Sequence, residues 1–414
     1  MNFKLTDLQR RMLDGEMGEP VRQGMELTVQ LAKFWEAPSL IPVQSVHMPG
    51  ASAKTARRAG RKYISWAADA GGRFVTTTTL NPGAADLTGF EIGITPETMA
   101  QQMEITESYK RMGAIACHTC TPYLVGNVPK IGEHVCWGES SAVVYCNSVL
   151  GARTNREGGP AALATALTGF TAGYGLHLKE KRLATIHAAV DYPLADGCDF
   201  GCAGYYLAKN YPDALPVYTG LPERCPTFGL KAIAAATATS GSVSMFHAVG
   251  ITPEAPTLEA ASGGKKLETI KIGKKEIEET RQYLNRTNDS KEVDCVFIGC
   301  PHLDYEEIER LGKLLKGRKV KADVKLWLFA ANSVWNSCER SGLTQVLKDS
   351  GAVLVSDTCP NITIFKEVIA SRNLRSGAVD SAKLAHYLPS WGLKMHYGTT
   401  ADCIDAAVTG KWRV

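Results

Sequence analysis

From residue 291 onward the sequence alternates short apolar runs with longer amphipathic ones, and this alternation narrows the fold more than any other feature. "VDCVFIGC" reads as a buried strand and "YEEIERLGKLL" as a helix. "ADVKLWLFA" is the next strand, and "SVWNSCERSGLTQVLKDSG" is a helix ending at glycine. "AVLVSDTC" is a third strand and "KEVIA" a short helix, after which "AVDSAKLAHYL" and "LKMHYGTTADCIDAAVTGKW" continue the pattern. Apolar strands joined through helices imply a parallel, doubly wound sheet. At 414 residues the chain is too long for one compact core and suits two or three packed α/β domains. The expected fold class is therefore α/β. An α/β region spans 1–285, read as two interleaved domains, and a doubly wound C-terminal domain spans 286–414.

The N-terminal region carries its own punctuation. Thr6 is placed to cap a helical segment that continues to "FWEA", with breaks at its glycines. "SLIPVQSVHMPGAS", "GRFVTTTTLNPGAAD" and "AIACHTCTPY" each read as a strand running into a turn. "PAALATALTGFTAGYG" is a small-residue helix followed by a loop, and "ATIHAAV" is a strand. Residues 263–290 are highly charged and are expected to form a surface element joining two domains.

A net charge of +4 is small for this length and gives no reason to expect nucleic acid. No apolar run approaches the roughly 20 residues of a membrane span. "MNFKLTDLQRRMLDGE" is charged and helical, with no signal-peptide core, so a cytoplasmic protein is expected.

Twelve cysteines are present, and disulfides are not expected in the cytosol. Most such cysteines are small buried apolar residues. Ligands in open α/β sheets bind outside the carboxyl ends of the strands, and that rule selects among them. Cys300 ends "VFIGC" before Pro301 and His302, and Cys359 ends "VLVSDTC" before Pro360. Cys120 ends "AIACHTC" before Thr121-Pro122-Tyr123. By contrast Cys295, Cys338, Cys403 and Cys146 lie inside apolar strands or helices and read as structural, and the Cys198-x3-Cys202 spacing is a weak metal signal. Three thiolates suit an iron–sulfur cluster with one iron left open as a Lewis acid. A zinc site is the alternative, with His118 or His302 as fourth ligand.

Other polar groups also stand at strand ends or in tight loops. They are Asn81, the Glu139-Ser140-Ser141 run, and Ser381 with Lys383. Lys383 falls just after a strand in the same domain as Cys300 and Cys359, which favours a substrate contact. "GARTNREGG" reads first as a polar loop, although Arg153 and Arg156 beside glycines can also clamp a carboxylate or phosphate.

The stretch from Cys120 to Gly159, with "TTLNPGAAD", "GCPHLDYEE", "SDTCP" and "DSAKLAHY", resembles the aconitase X family, and the resemblance runs along nearly the whole chain. It implies an aconitase-like architecture of several packed α/β domains with parallel doubly wound sheets. It also implies the large, cluster-carrying subunit of a hydro-lyase that removes water from a small anionic hydroxy acid. Archaeal members convert (R)-5-phosphomevalonate to trans-anhydromevalonate 5-phosphate in a variant mevalonate pathway, and bacterial members act on cis-3-hydroxy-L-proline. "CTPYL", "ESSAV" and "NREGGP" look more like the archaeal type, although Ala51 stands where Val or Ile is expected and Gly138 where Ala is common.

The resemblance places the metal ligands at Cys120, Cys300 and Cys359. The group they hold would be a [4Fe-4S] cluster, with [2Fe-2S] or mononuclear iron as the other forms. Substrate contacts fall at Gly50, Ala51, Ser52, Asn81, Pro82, Glu139, Ser140 and Lys383, with Glu139 and Lys383 as the catalytic candidates. Glu139 would either hydrogen-bond the substrate or assist proton transfer. The family also has a small swivelling domain, fused or separate, whose serine acts as base. The chain ends at "TGKWRV" without it, so a separate small subunit is expected. Two rival readings stay open: a zinc protein using Cys117, His118 and Cys120, and a non-catalytic cluster-sensing subunit.

Overall fold

The computed structural model describes residues 4–87, 94–363 and 366–413. Thr6 caps the first helix, Asp7–Leu13, as its hydroxyl accepts from Gln9 N–H and the Gln9 side chain accepts from Thr6 N–H. In chain order the first strands are β1 (Leu40–Pro42), β2 (Ser45–Met48), β3 (Thr77–Leu80), β4 (Cys136–Trp137) and β5 (Phe170–Ala172). β1 and β5 pair antiparallel, while β3, β2 and β4 form a parallel sheet in that order. A second parallel sheet holds β6 (Ile186–Asp191), β7 (Pro216–Thr219), β8 (His247–Ala248) and β9 (Glu268–Gly273), in the order β8-β7-β6-β9.

The C-terminal sheet is parallel and five-stranded: β10 (Cys295–Leu303), β11 (Lys325–Ala330), β12 (Val353–Val355), β13 (Ser376–Val379) and β14 (Lys394–Tyr397), in the order β12-β11-β10-β13-β14. Numbered within this sheet, the order is 3-2-1-4-5, the doubly wound arrangement expected from the strand–helix alternation. Its central strands β10, β11 and β13 are buried on both faces, as their continuous apolar runs require, whereas the edge strand β12 is only partly buried at Val353 and Leu354. Phe297 and Trp327 stack at 5.0 Å between neighbouring strands, and each such side chain contributes about 1.5–3 kcal/mol by leaving water. No helix among the described residues is long and apolar enough to cross a membrane.

Several local expectations change. The charged 263–290 segment is more than a connection. β9 pairs with β6 over six residues, and the following helix, Lys274–Asn285, packs on the helix Gly197–Asn210. The single helix expected after β11 is two, Asn332–Arg340 and Leu343–Ser350, divided at Gly342, which is left-handed. β10 does not stop at Cys300 but runs to Leu303, with a register shift after Ile298. Gly299 makes that irregularity possible, since its φ is +111° and a Cβ there would lie 2.3 Å from Phe329 O.

Candidate active site

Three strand ends line up first. Gly50-Ala51-Ser52 follows β2, Asn81-Pro82 follows β3, and Glu139-Ser140 follows β4. All the residues expected to touch substrate except Lys383 therefore share the carboxyl edge of one parallel sheet. Cys120 approaches the same edge. Its segment does not form the expected strand, because only Ile115 bridges Thr79 and His118 turns through a left-handed φ of 38°. Thr119 N–H still donates to Leu80 O, so the extended segment tracks the end of β3.

The C-terminal sheet contributes the opposing side. β10 and β13 are adjacent strands at its topological switch point. Cys300 lies in the irregular end of β10, and Lys383 lies in the first turn of the helix Ala382–Tyr387 after β13. Cys359 is not at the end of β12, which stops at Val355, but in the loop beyond it. That loop is fastened to the first sheet. Gly83 N–H donates to Asp357 O, the Thr358 hydroxyl donates to Gly83 O, and Ser356 N–H donates to the Asp86 carboxylate.

At the junction Lys383 Nζ donates to Glu139 Oε1 at 2.9 Å and to Ser140 Oγ at 2.9 Å. Glu139 also accepts from Ala142 N–H and Ser141 Oγ, both at 2.7 Å, as the cap of the helix Ser140–Tyr145. Both side chains are nearly closed to solvent. Burial pushes the Glu139 pKa up, but the Lys383 charge and these donors outweigh it and hold the carboxyl at about 2. Lys383 is raised: burial opposes the charge, and Glu139 and the nearby thiols more than restore it. A carboxylate with so low a pKa is a weak base at neutral pH, so this geometry suits Glu139 to accepting and orienting rather than to proton transfer.

The three selected cysteines form one electrostatic group. Burial raises each of them, Cys359 to about 12, and they raise one another: Cys300 and Cys359 act on Cys120, and Cys300 acts on Cys359. The Cys120 sulfur is met by a donor, the His302 N–H at 3.2 Å, while the Ser381 hydroxyl and the Ile362 N–H, the latter bonded to Cys359 O, pull Cys300 and Cys359 down. Cys117 and Cys295 differ in that each thiol also has a carbonyl oxygen to donate to. Cys117 Sγ donates to Leu80 O and Cys295 Sγ donates to Ser376 O. Three thiols gathered in one buried group can serve as thiolate ligands once metal binding replaces their protons, so Cys120, Cys300 and Cys359 could hold an iron–sulfur group.

The zinc reading finds no such fit. His118 places Nε2 against Thr106 Oγ1 at 3.1 Å and Nδ1 against Asn81 O at 3.2 Å, and both nitrogens of His302 are likewise engaged. Among the described residues, no three His, Cys, Asp or Glu side chains are placed to hold a single metal ion, Cys120, Cys300 and Cys359 included; a multi-iron cluster is larger than one ion and takes ligands spaced further apart. Cys198 and Cys202 are fully buried on one helix, where Tyr397 OH donates to Cys198 O. The arginine clamp does not form either. Arg153 donates to His177 O, Arg156 is exposed, and Asn155 braces Tyr174 O and Leu176 N–H.

Two buried polar atoms at the site, Asn81 Oδ1 and His47 Nε2, make no hydrogen bond of good geometry, although the Asn81 side chain is near enough to His47 to act on it. Burial holds His47 near 4 and hence neutral, against opposing pulls from Glu139, Asn81 and Thr119. A cavity of about 420 Å³ opens on Cys300, Pro301 and Ser381, with Lys231 and Asp380 in its wall. Gly138 has a steric reason as well: a Cβ there would lie 2.4 Å from both Glu157 O and Pro49 Cγ.

Sequence reasoning missed Gln102. Fully buried, it accepts from Ala53 N–H at 3.0 Å and Ala84 N–H at 2.7 Å, and it donates to Ala51 O at 2.8 Å. It therefore ties the Gly50–Ser52 loop to the Asn81-Pro82 loop. It sits mid-helix in an unremarkable polar stretch, which gave no signal.

Comparison with known proteins adds to this geometry. The family models described as Aconitase X first, second and third domain match residues 2–180, 184–282 and 293–409. The phosphomevalonate dehydratase large subunit of Methanothermobacter thermautotrophicus is 39% identical over 92% of this chain and 92% of its own length. The Methanocaldococcus jannaschii protein of the same name is 38% identical over 94% of this chain and 95% of its own. A cis-3-hydroxy-L-proline dehydratase of Pseudomonas aeruginosa is 33% identical over 99% of this chain, which spans 70% of that protein. The crystal structure of Thermococcus kodakaraensis aconitase X in its holo-form superposes with a TM-score of 0.89 at 33% identity, covering 98% of this chain and 100% of that one.

Proposed function

Because the chain belongs to the aconitase X family, whose relatives here are named dehydratases, we propose that it is the large subunit of a hydro-lyase acting on phosphomevalonate. The reaction is loss of water from (R)-5-phosphomevalonate to give trans-anhydromevalonate 5-phosphate. A C–H and a C–O bond break, one carbon–carbon double bond forms, and a proton and hydroxide leave. The observation that carries the reading is that Cys120, Cys300 and Cys359 all lie within electrostatic reach of the Lys383–Glu139 pair. Four phosphomevalonate enzymes at 34–39% identity stand above the hydroxyproline enzymes at 32–33%, with one more at 32%, and this favours phosphomevalonate over cis-3-hydroxy-L-proline.

Cys120, Cys300 and Cys359 would hold an iron–sulfur cluster, a [4Fe-4S] form in this reading. Bound there, the cluster would supply Lewis acidity toward the leaving hydroxyl. Lys383 provides the fixed cation for the anionic end of the substrate. Glu139 and Ser140 hold that cation in place and offer acceptors to substrate hydroxyl groups. Asn81 Oδ1 and the Gly50–Ser52 loop complete the polar lining beside Pro82. The base is assigned to a serine of a separate small swivel-domain subunit, in keeping with relatives named large subunits. A cytoplasmic setting and a doubly wound C-terminal domain from residue 286 belong to the same proposal.

The test is turnover by the two-subunit complex, reconstituted anaerobically and offered phosphomevalonate and cis-3-hydroxy-L-proline in parallel. Dehydration of phosphomevalonate alone is expected. Turnover of hydroxyproline alone, or of neither, would overturn the assignment.

A further inference from the structure

Three cysteines on three separate chain segments can serve one cluster only if something fixes those segments against each other. One side chain touches all three. His302 is fully buried, two residues after Cys300. Its backbone N–H donates to Cys120 Sγ at 3.2 Å. Its ring Nδ1 meets Thr119 Oγ1, next to Cys120, at 2.9 Å. Its ring Nε2 meets Thr358 O, next to Cys359, at 2.9 Å.

The partners settle the ring's protonation. A carbonyl oxygen can only accept, so Nε2 carries the proton and donates to Thr358 O. In the neutral ring Nδ1 is the acceptor, and the Thr119 hydroxyl donates to it. Thr119 Oγ1 in turn accepts from Thr121 N–H at 3.2 Å, which orients the hydroxyl and fixes the turn after Cys120. The backbone at His302 is anchored from behind, where Lys231 Nζ donates to His302 O at 2.9 Å. Lys231 is itself buried and paired with Glu307 and Asp304 at the start of the helix Tyr305–Leu315. Every hydrogen-bonding group of His302 is thus used to connect the cysteine-bearing segments to one another or to the scaffold.

We propose that His302 is the positioning residue that sets the spacing of Cys120, Cys300 and Cys359 for the iron–sulfur cluster. This inference rests on the cluster reading above. His302 neither ligates metal nor touches substrate; it acts through Thr119 and Thr358. Loss of such a supporting contact weakens metal retention by about 10–100-fold.

The experiment compares wild type with His302→Ala, His302→Gln, Thr119→Val and Cys300→Ser, each loaded anaerobically with iron and sulfide. The readouts are iron and acid-labile sulfide per chain, the visible spectrum, and the rate of iron loss to a chelator. Circular dichroism reports folding. His302→Ala should lose iron about 10–100-fold faster than wild type. His302→Gln should recover part of that loss, because its amide can still donate to one side and accept from the other. Thr119→Val should shift in the same direction by a smaller factor, and it carries the test if His302→Ala does not fold. A merely structural histidine would lower the melting temperature of the metal-free chain and leave the loss rate from the loaded chain unchanged. Wild-type retention in both His302→Ala and Thr119→Val would overturn the positioning role. A wild-type chain that takes up no iron and sulfide, or a Cys300→Ser chain that takes up as much, would instead overturn the cluster reading, and the inference with it.

Discussion

Replacing Lys383 with Met removes the cation from a carboxylate that has almost no solvent to fall back on. The Glu139 pKa lies at about 2, against an ordinary 4.5, and at about 1.4 kcal/mol per pH unit that difference is worth about 3 kcal/mol. Breaking a buried pair by deleting one partner costs about 3–5 kcal/mol, a consistent magnitude from an independent direction. Because the folded-state pKa lies below the unfolded one, this stability is fully present above about pH 4.5 and is lost as pH falls through about 2. In Lys383→Met, burial is no longer outweighed and pushes Glu139 above its ordinary value. The variant is then least stable relative to wild type at pH 7, and the gap narrows toward pH 5 as Glu139 takes up a proton. Urea unfolding of the metal-free chain at both pH values measures this. A loss of about 3–5 kcal/mol at pH 7, smaller by at least about 1 kcal/mol at pH 5, is expected. The Glu139→Gln/Lys383→Met double variant should recover part of the loss. A loss below about 1 kcal/mol, equal at both pH values and additive in the double variant, is the behaviour of an exposed pair and would refute the argument.

The other predictions concern separate parts of the site. Cys300→Ser should abolish bound iron and sulfide, whereas Cys117→Ser should keep both, because the Cys117 thiol only donates to Leu80 O; iron and sulfide analysis of the two proteins distinguishes them. Gln102→Leu leaves two buried N–H groups and one carbonyl unpaired and should cost about 2–4 kcal/mol in urea unfolding, with KM for substrate raised more than kcat is lowered, as the Gly50–Ser52 and Asn81-Pro82 loops separate. Burial pushes the Glu157 pKa up to about 7, above its ordinary 4.5, so the associated stability is full below about pH 4.5 and is lost as pH rises through 7. Glu157→Gln should therefore raise the urea midpoint at pH 8 by the equivalent of about 2–3 kcal/mol and leave it nearly unchanged at pH 4.5.

Much of the C-terminal half was legible because local and global signals agree there. The helix Tyr305–Leu315 begins and ends where the sequence places it, since Asp304 and Glu307 form a reciprocal cap and apolar residues recur on one face. β9 was hidden inside a charge run, although Ile270 and Ile272 alternate with exposed Thr269 and Lys271 as an edge strand requires. The division at Gly342 went unread because the apolar spacing continues through it. Cys120, Cys300 and Cys359 were selected on a supposed common position at strand ends, and that position is only approximate. One lies beside an extended segment, one in an irregular strand and one in a loop. The alignment of three loops along the β3-β2-β4 edge depends on which strands pair, which periodicity does not report. His302 and Gln102 were beyond reach for a related reason. Their importance lies in long-range hydrogen bonds, across 182 residues in the case of His302 and Cys120.

The central claim is that cysteines on three separate segments make one iron–sulfur site and that this site performs the dehydration. Its most direct test is phosphomevalonate turnover by the two-subunit complex as iron and sulfide are restored stepwise to the metal-free chain, with bound iron and acid-labile sulfide measured at each step. Turnover rising in proportion to both, and absent in Cys300→Ser, is predicted. Full turnover by metal-free protein, or by protein carrying zinc without sulfide, would contradict the account.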